Sequence, residues 1–269
     1  MYTACVVIPI YKENPSELEI ASFRQVLKVL NKYDIYIYTY QELNIKLYDD
    51  EAKQYGKSIK VEFFDKDYFS SITGYNKLCL SVDFYRRCCL YEYMLIYQLD
   101  AWVFRDELEY WCSLGYDYIG APWFTNFGAY EDGEVLWKVG NGGFCLRRNS
   151  FFIKMLEYKW PITYNVDFGK GFLQFAKSIL RCLGICNTIQ YWISIKSETE
   201  NEDFLLSNYF CFTKRKHLIP QMPTPHAAAM FSFEQSPTYL YGIIKKIPFG
   251  CHAFAKYEYE TFWKPYIKL

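Results

Sequence analysis

The sequence predicts an α/β fold, an open and mostly parallel (mixed) sheet flanked by helices, and three observations predict it. Short runs rich in Val, Ile and Tyr at residues 4–10 and 34–40 have the length and apolar character of sheet strands. A segment of helical period separates them, and this alternation is the signature of helices covering a parallel sheet. With 269 residues, 51% of them hydrophobic, the chain can fill a large core.

The elements follow in order. The first strand closes at Pro9 and Ile10. Pro15 and Ser16 then open a helix whose Leu18, Phe23, Val26, Leu27 and Leu30 share one face. Residues 34–40, DIYIYTY, alternate as a second strand, and residues 60–64 form a third. Two helical pieces at 75–80 and 82–89 lead into YMLIYQLDAWVF, where an apolar run ends on one acid, Asp100, before hydrophobicity resumes at Ala101. This predicts a buried strand delivering a carboxylate to its carboxyl end, where open α/β sheets bind ligands. Residues 106–114 make a helix bounded by Asp106 and Gly115. Residues 116–122 form a short strand running into a Gly/Pro turn, and residues 124–134 form a loop. VGNGGFCLRR places three glycines before another strand. A helical insertion at about 151–199 includes an amphipathic helix at 172–183. ENEDFLLSNYF then opens a helix on acids, and Pro220, Pro223 and Pro225 make 218–226 loop or extended edge. There is no internal repeat, so one domain spanning 1–269 is expected.

Composition narrows the function. Thirty basic residues balance thirty acidic ones, which gives no global electrostatic case for nucleic acid as a partner. The 27 Tyr and 22 Phe can fill a core or stack on sugars and bases. Ten cysteines show no CxxC pair and mostly sit in apolar runs, so reduced, packed thiols are expected; Cys182 and Cys186 are spaced to share a helix face. MYTACVVIPIY has neither a basic start nor a long apolar stretch, and no uncharged apolar run reaches the roughly 18 residues of a membrane span. A cytoplasmic protein, in solution or at the inner face of the cell membrane, is expected. Residues 172–183 with Lys170, Lys177 and Arg181, and the ending with Trp263, Lys264, Tyr266 and Lys268, have two readings: a core-facing helix with a solvated tail, or a peripheral contact with an anionic membrane.

Five stretches, VVIPIY, QLDAW, VGNGGFCLRR, NEDFLLS and PFGCHAF, together with the IGAPW segment, resemble in order and spacing a GT-A fold nucleotide-sugar glycosyltransferase. The resemblance runs from Val6 to about Tyr257 and is nearest to the poorly characterised bacterial glycosyltransferases of polysaccharide gene clusters. It implies a nucleotide-binding part at about 1–122 and an acceptor-side part at about 123–269. It implies that Pro9, Ile10 and Tyr11 contact the nucleotide, and that the D-x-D signature falls on Gln98, Leu99 and Asp100. Gln98 replaces the first acid there; it could still bond the ribose, while Asp100 and His252 would hold Mn2+ or Mg2+. Asn141, Gly142 and Gly143 would wall the sugar site, with Trp123 a further candidate for stacking. Asp203 would be the general base of an inverting reaction, with Glu202 orienting a substrate. His217 and His226 are weaker ligand candidates. The implied partners are a nucleotide-sugar donor, with UDP-hexose favoured, and a glycan or lipid-linked glycan acceptor. Because of Gln98, a nucleotide-sugar-binding protein without catalysis stands as the alternative, as does a retaining transferase.

Overall fold

The computed structural model describes residues 2–162, 172–183, 185–209 and 215–268. In chain order the strands are β1 (Tyr2–Pro9), β2 (Asp34–Thr39), β3 (Lys60–Phe63), β4 (Tyr91–Tyr97), β5 (Trp102–Val103), β6 (Tyr118–Ile119), β7 (Pro122–Phe124), β8 (Leu136–Val139), β9 (Phe144–Arg148), β10 (Ser232–Phe233) and β11 (Gly250–Cys251). The helices are α1 (Glu17–Val29), α2 (Lys46–Gln54), α3 (Ile72–Cys79), α4 (Val82–Arg86), α5 (Leu108–Ser113), α6 (Asn149–Leu156), α7 (Phe172–Cys182), α8 (Ile189–Lys196), α9 (Glu202–Phe204), α10 (Pro225–Phe231) and α11 (Pro237–Ile244).

Among the described residues, six strands form a mixed sheet in the order β3-β2-β1-β4-β9-β6. Pairing is parallel from β3 to β4, and β9 runs antiparallel to both β4 and β6. Strand β1 reads as an unbroken apolar run because both of its faces are covered. Val6 and Ile8 pack with Phe23, Val26 and Leu27 of α1. Cys5 and Val7 point the other way, toward Leu78, Phe84 and Cys88. Period-two alternation thus feeds two cores, one on each side of the sheet. Each fully buried Leu or Val in them contributes roughly 1.5–3 kcal/mol.

Helix α1 starts where the sequence predicts. The Ser16 hydroxyl accepts from Glu19 N and the Glu19 carboxylate accepts from Ser16 N, a reciprocal cap worth about 1 kcal/mol. Other expectations change. Residues 218–226 are not all extended: Thr224 caps α10 and Pro225 occupies its first turn, so His226 lies on a helix. The loop after Phe124 is the tip of a hairpin, because β7 pairs antiparallel with β8. Cys182 and Cys186 do not share a helix face, since α7 stops at Cys182 and Cys186 takes φ 57° outside it. The C-terminal ending is only in part a solvated tail: Trp263 is fully buried, stacked on Phe104 with ring centroids 5.5 Å apart, whereas Lys264, Tyr266 and Lys268 are exposed. Cys5, Cys79, Cys88, Cys89, Cys112, Cys145, Cys186 and Cys251 are free thiols, and none of the helices described is long and apolar enough to cross a membrane.

A second, three-stranded sheet positions the site. In it β11 pairs parallel with β10 and antiparallel with β5. Cys251 stands opposite both Phe233 and Trp102, so the residues just beyond this row, Glu234 after β10, His252 after β11 and Asp100 before β5, meet at one edge.

Candidate active site

The carboxyl ends of β1 and β4 and the start of β9 open onto one cavity of about 720 Å³. The register explains the convergence. Gln98 follows β4 directly, and its N–H donates to the Gly143 carbonyl at 2.8 Å, which fixes the QLD segment beside the glycine turn. Pro9, Tyr11, Gln98, Asp100, Asn141, Gly142, Gly143, Glu202, Asp203 and His252 all line this cavity. Trp123, His217 and His226 do not line it. The Trp123 ring instead covers Gly140, where a Cβ would lie 1.9 Å from it.

The expectation of a buried strand ending on Asp100 needs adjustment. Strand β4 stops at Tyr97, and Asp100 sits two residues beyond Gln98 with about half of its side chain exposed. Its Oδ1 is 3.1 Å from His252 Nε2, and Gln98 Oε1 is 3.3 Å from the same nitrogen. The other ring nitrogen, Nδ1, faces Glu234 Oε1 at 3.1 Å. Burial opposes the imidazolium, yet the Asp100 and Glu234 carboxylates outweigh it and push the His252 pKa up to about 10. Burial likewise disfavours the Asp100 carboxylate, but the His252 contact holds its pKa below the usual range. Lys12 and Lys256 also line this end; the Glu19 contact raises the pKa of Lys12 and the Tyr257 contact that of Lys256, with a smaller contribution from Asp100 to each. Exposed Tyr11 stands at the same end, with Lys12 Nζ 5.4 Å from its ring centroid.

The glycine turn fits closely around these groups. A Cβ on Gly143 would stand 2.0 Å from His252 Nε2, and one on Gly142 would stand 2.1 Å from Glu202 Oε1. A side chain at either position would have to displace His252 or Glu202. Asn141 takes the left-handed conformation, φ 71°, and its Oδ1 accepts from Gly143 N at 2.9 Å, so it shapes the turn. Its Nδ2 is buried and finds no hydrogen-bond partner among the described residues.

Against the same glycine turn, α9 brings two acids with different fates. Glu202 is buried and ion-paired with fully buried Arg147 at 2.7 Å. Asp203 accepts from Asn141 N at 2.9 Å and from Phe204 N at 2.8 Å. Desolvation, then repulsion from Glu202 and Glu234, push its pKa up to about 7, against the opposing pull of the Phe204 amide and Arg147. A carboxyl poised near neutrality in a cavity has the property expected of a general base.

The donor set was tested for a divalent cation. Among the described residues no group of three or more His, Cys, Asp and Glu side chains is arranged as a metal centre. Asp100 Oδ1, His252 Nε2 and Gln98 Oε1 nevertheless converge on one point of the cavity, and Glu234 stands behind the imidazole as an orienting carboxylate. This set fits only a cation that displaces the Nε2 proton of His252 and takes its remaining ligands from a bound diphosphate and water, not one held in a closed protein cage.

Glu234 escaped the sequence reading, as did Lys12, Lys256 and Arg147. Glu234 follows the short apolar run FSF, a weaker form of the strand-then-acid pattern that marked Asp100. Arg147 carried no signal, because a basic residue in a short strand is ordinarily placed on a solvated face.

Comparisons place the chain among other proteins. None of the curated proteins matches it. Core-mannan synthase A from Aspergillus fumigatus, solved in its Mn/GDP form, is 11% identical over 56% of this chain and 61% of its own, with a TM-score of 0.38. A glycosyltransferase involved in glycosylating the major capsid of PBCV-1 is 9% identical over 93% of both chains, with a TM-score of 0.41. The apo-form glycosyltransferase GlyE of Streptococcus pneumoniae is 13% identical over 100% of this chain and 61% of its own, with a TM-score of 0.48. The chain thus spans 61% of the length of the mannan synthase and of GlyE. Residues 58–252 match the model of a protein family of unknown function, DUF5672, and the chain belongs to that family.

Proposed function

We propose that this protein is a glycosyltransferase. It moves a sugar from a nucleoside diphosphate donor, with UDP-hexose favoured, to a glycan or lipid-linked glycan in surface polysaccharide synthesis, with inversion at the anomeric carbon. The observation that carries this reading is the division of one cavity: basic groups and a cation-compatible cluster at one end, and an acid with a pKa of about 7 on the α9 wall. A volume of about 720 Å³ suits a nucleotide sugar.

In this reading Tyr11 and Pro9 take the nucleotide. The diphosphate lies toward Lys12, Lys256, Asp100 and His252. A divalent cation bound there by Asp100, His252 and Gln98 would neutralise charge as the sugar–phosphate bond breaks. Glu234 keeps the His252 ring turned toward that point. The turn that Asn141 shapes, with the bare backbone of Gly142 and Gly143, holds the sugar close. Asp203, freed of its proton, accepts the proton of the acceptor hydroxyl as that oxygen attacks C1, and the diphosphate leaves. Arg147 offsets the charge of Glu202, so that Asp203 can ionise near neutral pH.

The test is a thermal-shift panel of UDP, GDP, CDP and dTDP sugars, each with and without Mn2+. A donor at a hundred times its Kd should stabilise the protein by about 2.7 kcal/mol. If no donor raises the melting temperature, the proposal fails. Stabilisation without release of nucleoside diphosphate on any acceptor would favour the binding-protein alternative, which Gln98 in place of an acid supports.

A further inference from the structure

Helix α7 carries an apolar stripe that the fold leaves outside. Leu173, Leu180 and Leu183 share one helix face by their spacing, and they are 75%, 43% and 72% exposed. Ser178, on the opposite face, is buried. The expectation of a core-facing apolar stripe is therefore reversed at these positions. Trp160 and Ile185, 70% and 51% exposed, extend the patch. Asn187 ties the pieces together: its carbonyl accepts from Ile162 N at 3.0 Å and its Nδ2 donates to the Arg181 carbonyl at 2.9 Å.

Charge says what this face would meet. Lys177 and Arg181 lie beside the stripe, and residues 172–183 hold these two basic residues and no acid, in a chain whose net charge is zero. An apolar stripe edged by cations, with an exposed Trp at its border, matches the interfacial zone of an anionic bilayer. A two-fold pairing with a second copy would instead set the same basic flanks against each other. We infer that the α7 face, with Trp160 and Ile185, docks the protein on anionic lipid, apolar side chains entering the headgroup boundary and Lys177 and Arg181 meeting phosphates. The surface does not depend on the glycosyl-transfer reading, although it would bring the cavity near a lipid-linked acceptor.

The experiment is co-sedimentation of the full chain with phosphatidylcholine vesicles, alone or with about one-third phosphatidylglycerol. The wild type should pellet with the anionic vesicles only, and high salt should release most of it. L180E/L183E and K177E/R181E should each bind at least about tenfold more weakly. Circular dichroism melting unchanged from the wild type would show that these exposed substitutions leave the fold intact. Wild type remaining in the supernatant with both vesicles overturns the inference. So does equal binding to neutral vesicles, or a dimer in sedimentation velocity that L180E/L183E dissociates.

Discussion

Asp203→Asn isolates the electrostatics of the site from its hydrogen bonds. In the folded chain the Asp203 pKa is about 7, against an ordinary value of 3.8. The native state therefore holds this proton more tightly than the unfolded state. The stability so gained is fully present below about pH 4 and is lost as pH rises through about 7. A shift of about three units corresponds to about 4 kcal/mol. Asn cannot ionise, so it escapes that loss. It also puts an NH2 group, which cannot accept, where an oxygen of the carboxyl, protonated or ionised, faces a backbone N–H of Asn141 or Phe204, which costs about 1–3 kcal/mol at every pH. The variant should be less stable than wild type at pH 4 and equal or more stable at pH 8. The hydrogen-bond cost cancels when the two pH values are compared, leaving a change in relative stability of about 4 kcal/mol. Urea denaturation of both proteins at the two pH values measures it. A stability difference independent of pH would refute the claim that Asp203 is a desolvated, repelled carboxyl.

Three other outcomes follow from the same geometry. Arg147→Met leaves the buried Glu202 carboxylate without its cation and should cost about 3–5 kcal/mol in urea denaturation, with much of the loss restored by adding Glu202→Leu. Gly143→Ala puts a methyl group 2.0 Å from His252 Nε2, so Mn2+ binding measured by titration calorimetry should fall by tenfold or more while Gly128→Ala, in an exposed loop, leaves it unchanged. Gln98→Asp supplies a second carboxylate on the Nε2 side of the His252 ring and should strengthen Mn2+ binding in the same measurement; unchanged affinity would place Gln98 outside the cation site.

Much of the fold was legible because local and global signals agree in the sheet. Strand β1 is apolar on both faces and α1 carries its own cap, so their period and boundary residues suffice to place them. The gathering of Gln98, Asp100, the glycine turn and the acid pair follows the order of motifs along the chain. What stayed hidden depends on long-range pairing. The three-stranded sheet uses two-residue strands, too short to show any period, yet its register sets Glu234 against His252 across 18 positions. The different fates of Glu202 and Asp203 were also invisible, because they turn on Arg147, 55 residues away from Glu202, being buried beneath the α9 turn. The exposure of Leu173, Leu180 and Leu183 illustrates a further limit: amphipathic period says which side chains share a face, while only the surrounding fold says what that face meets.

The most direct test of the central claim compares wild type with Asp203→Asn on the donor that stabilises the protein most. Donor affinity is measured by calorimetry, and release of nucleoside diphosphate in the presence of acceptor is followed as a rate. Donor binding should stay within about twofold of wild type and kcat should fall by about 10²–10⁴, with the wild-type rate rising as pH passes through about 7. A variant that turns over as fast as wild type would contradict that claim.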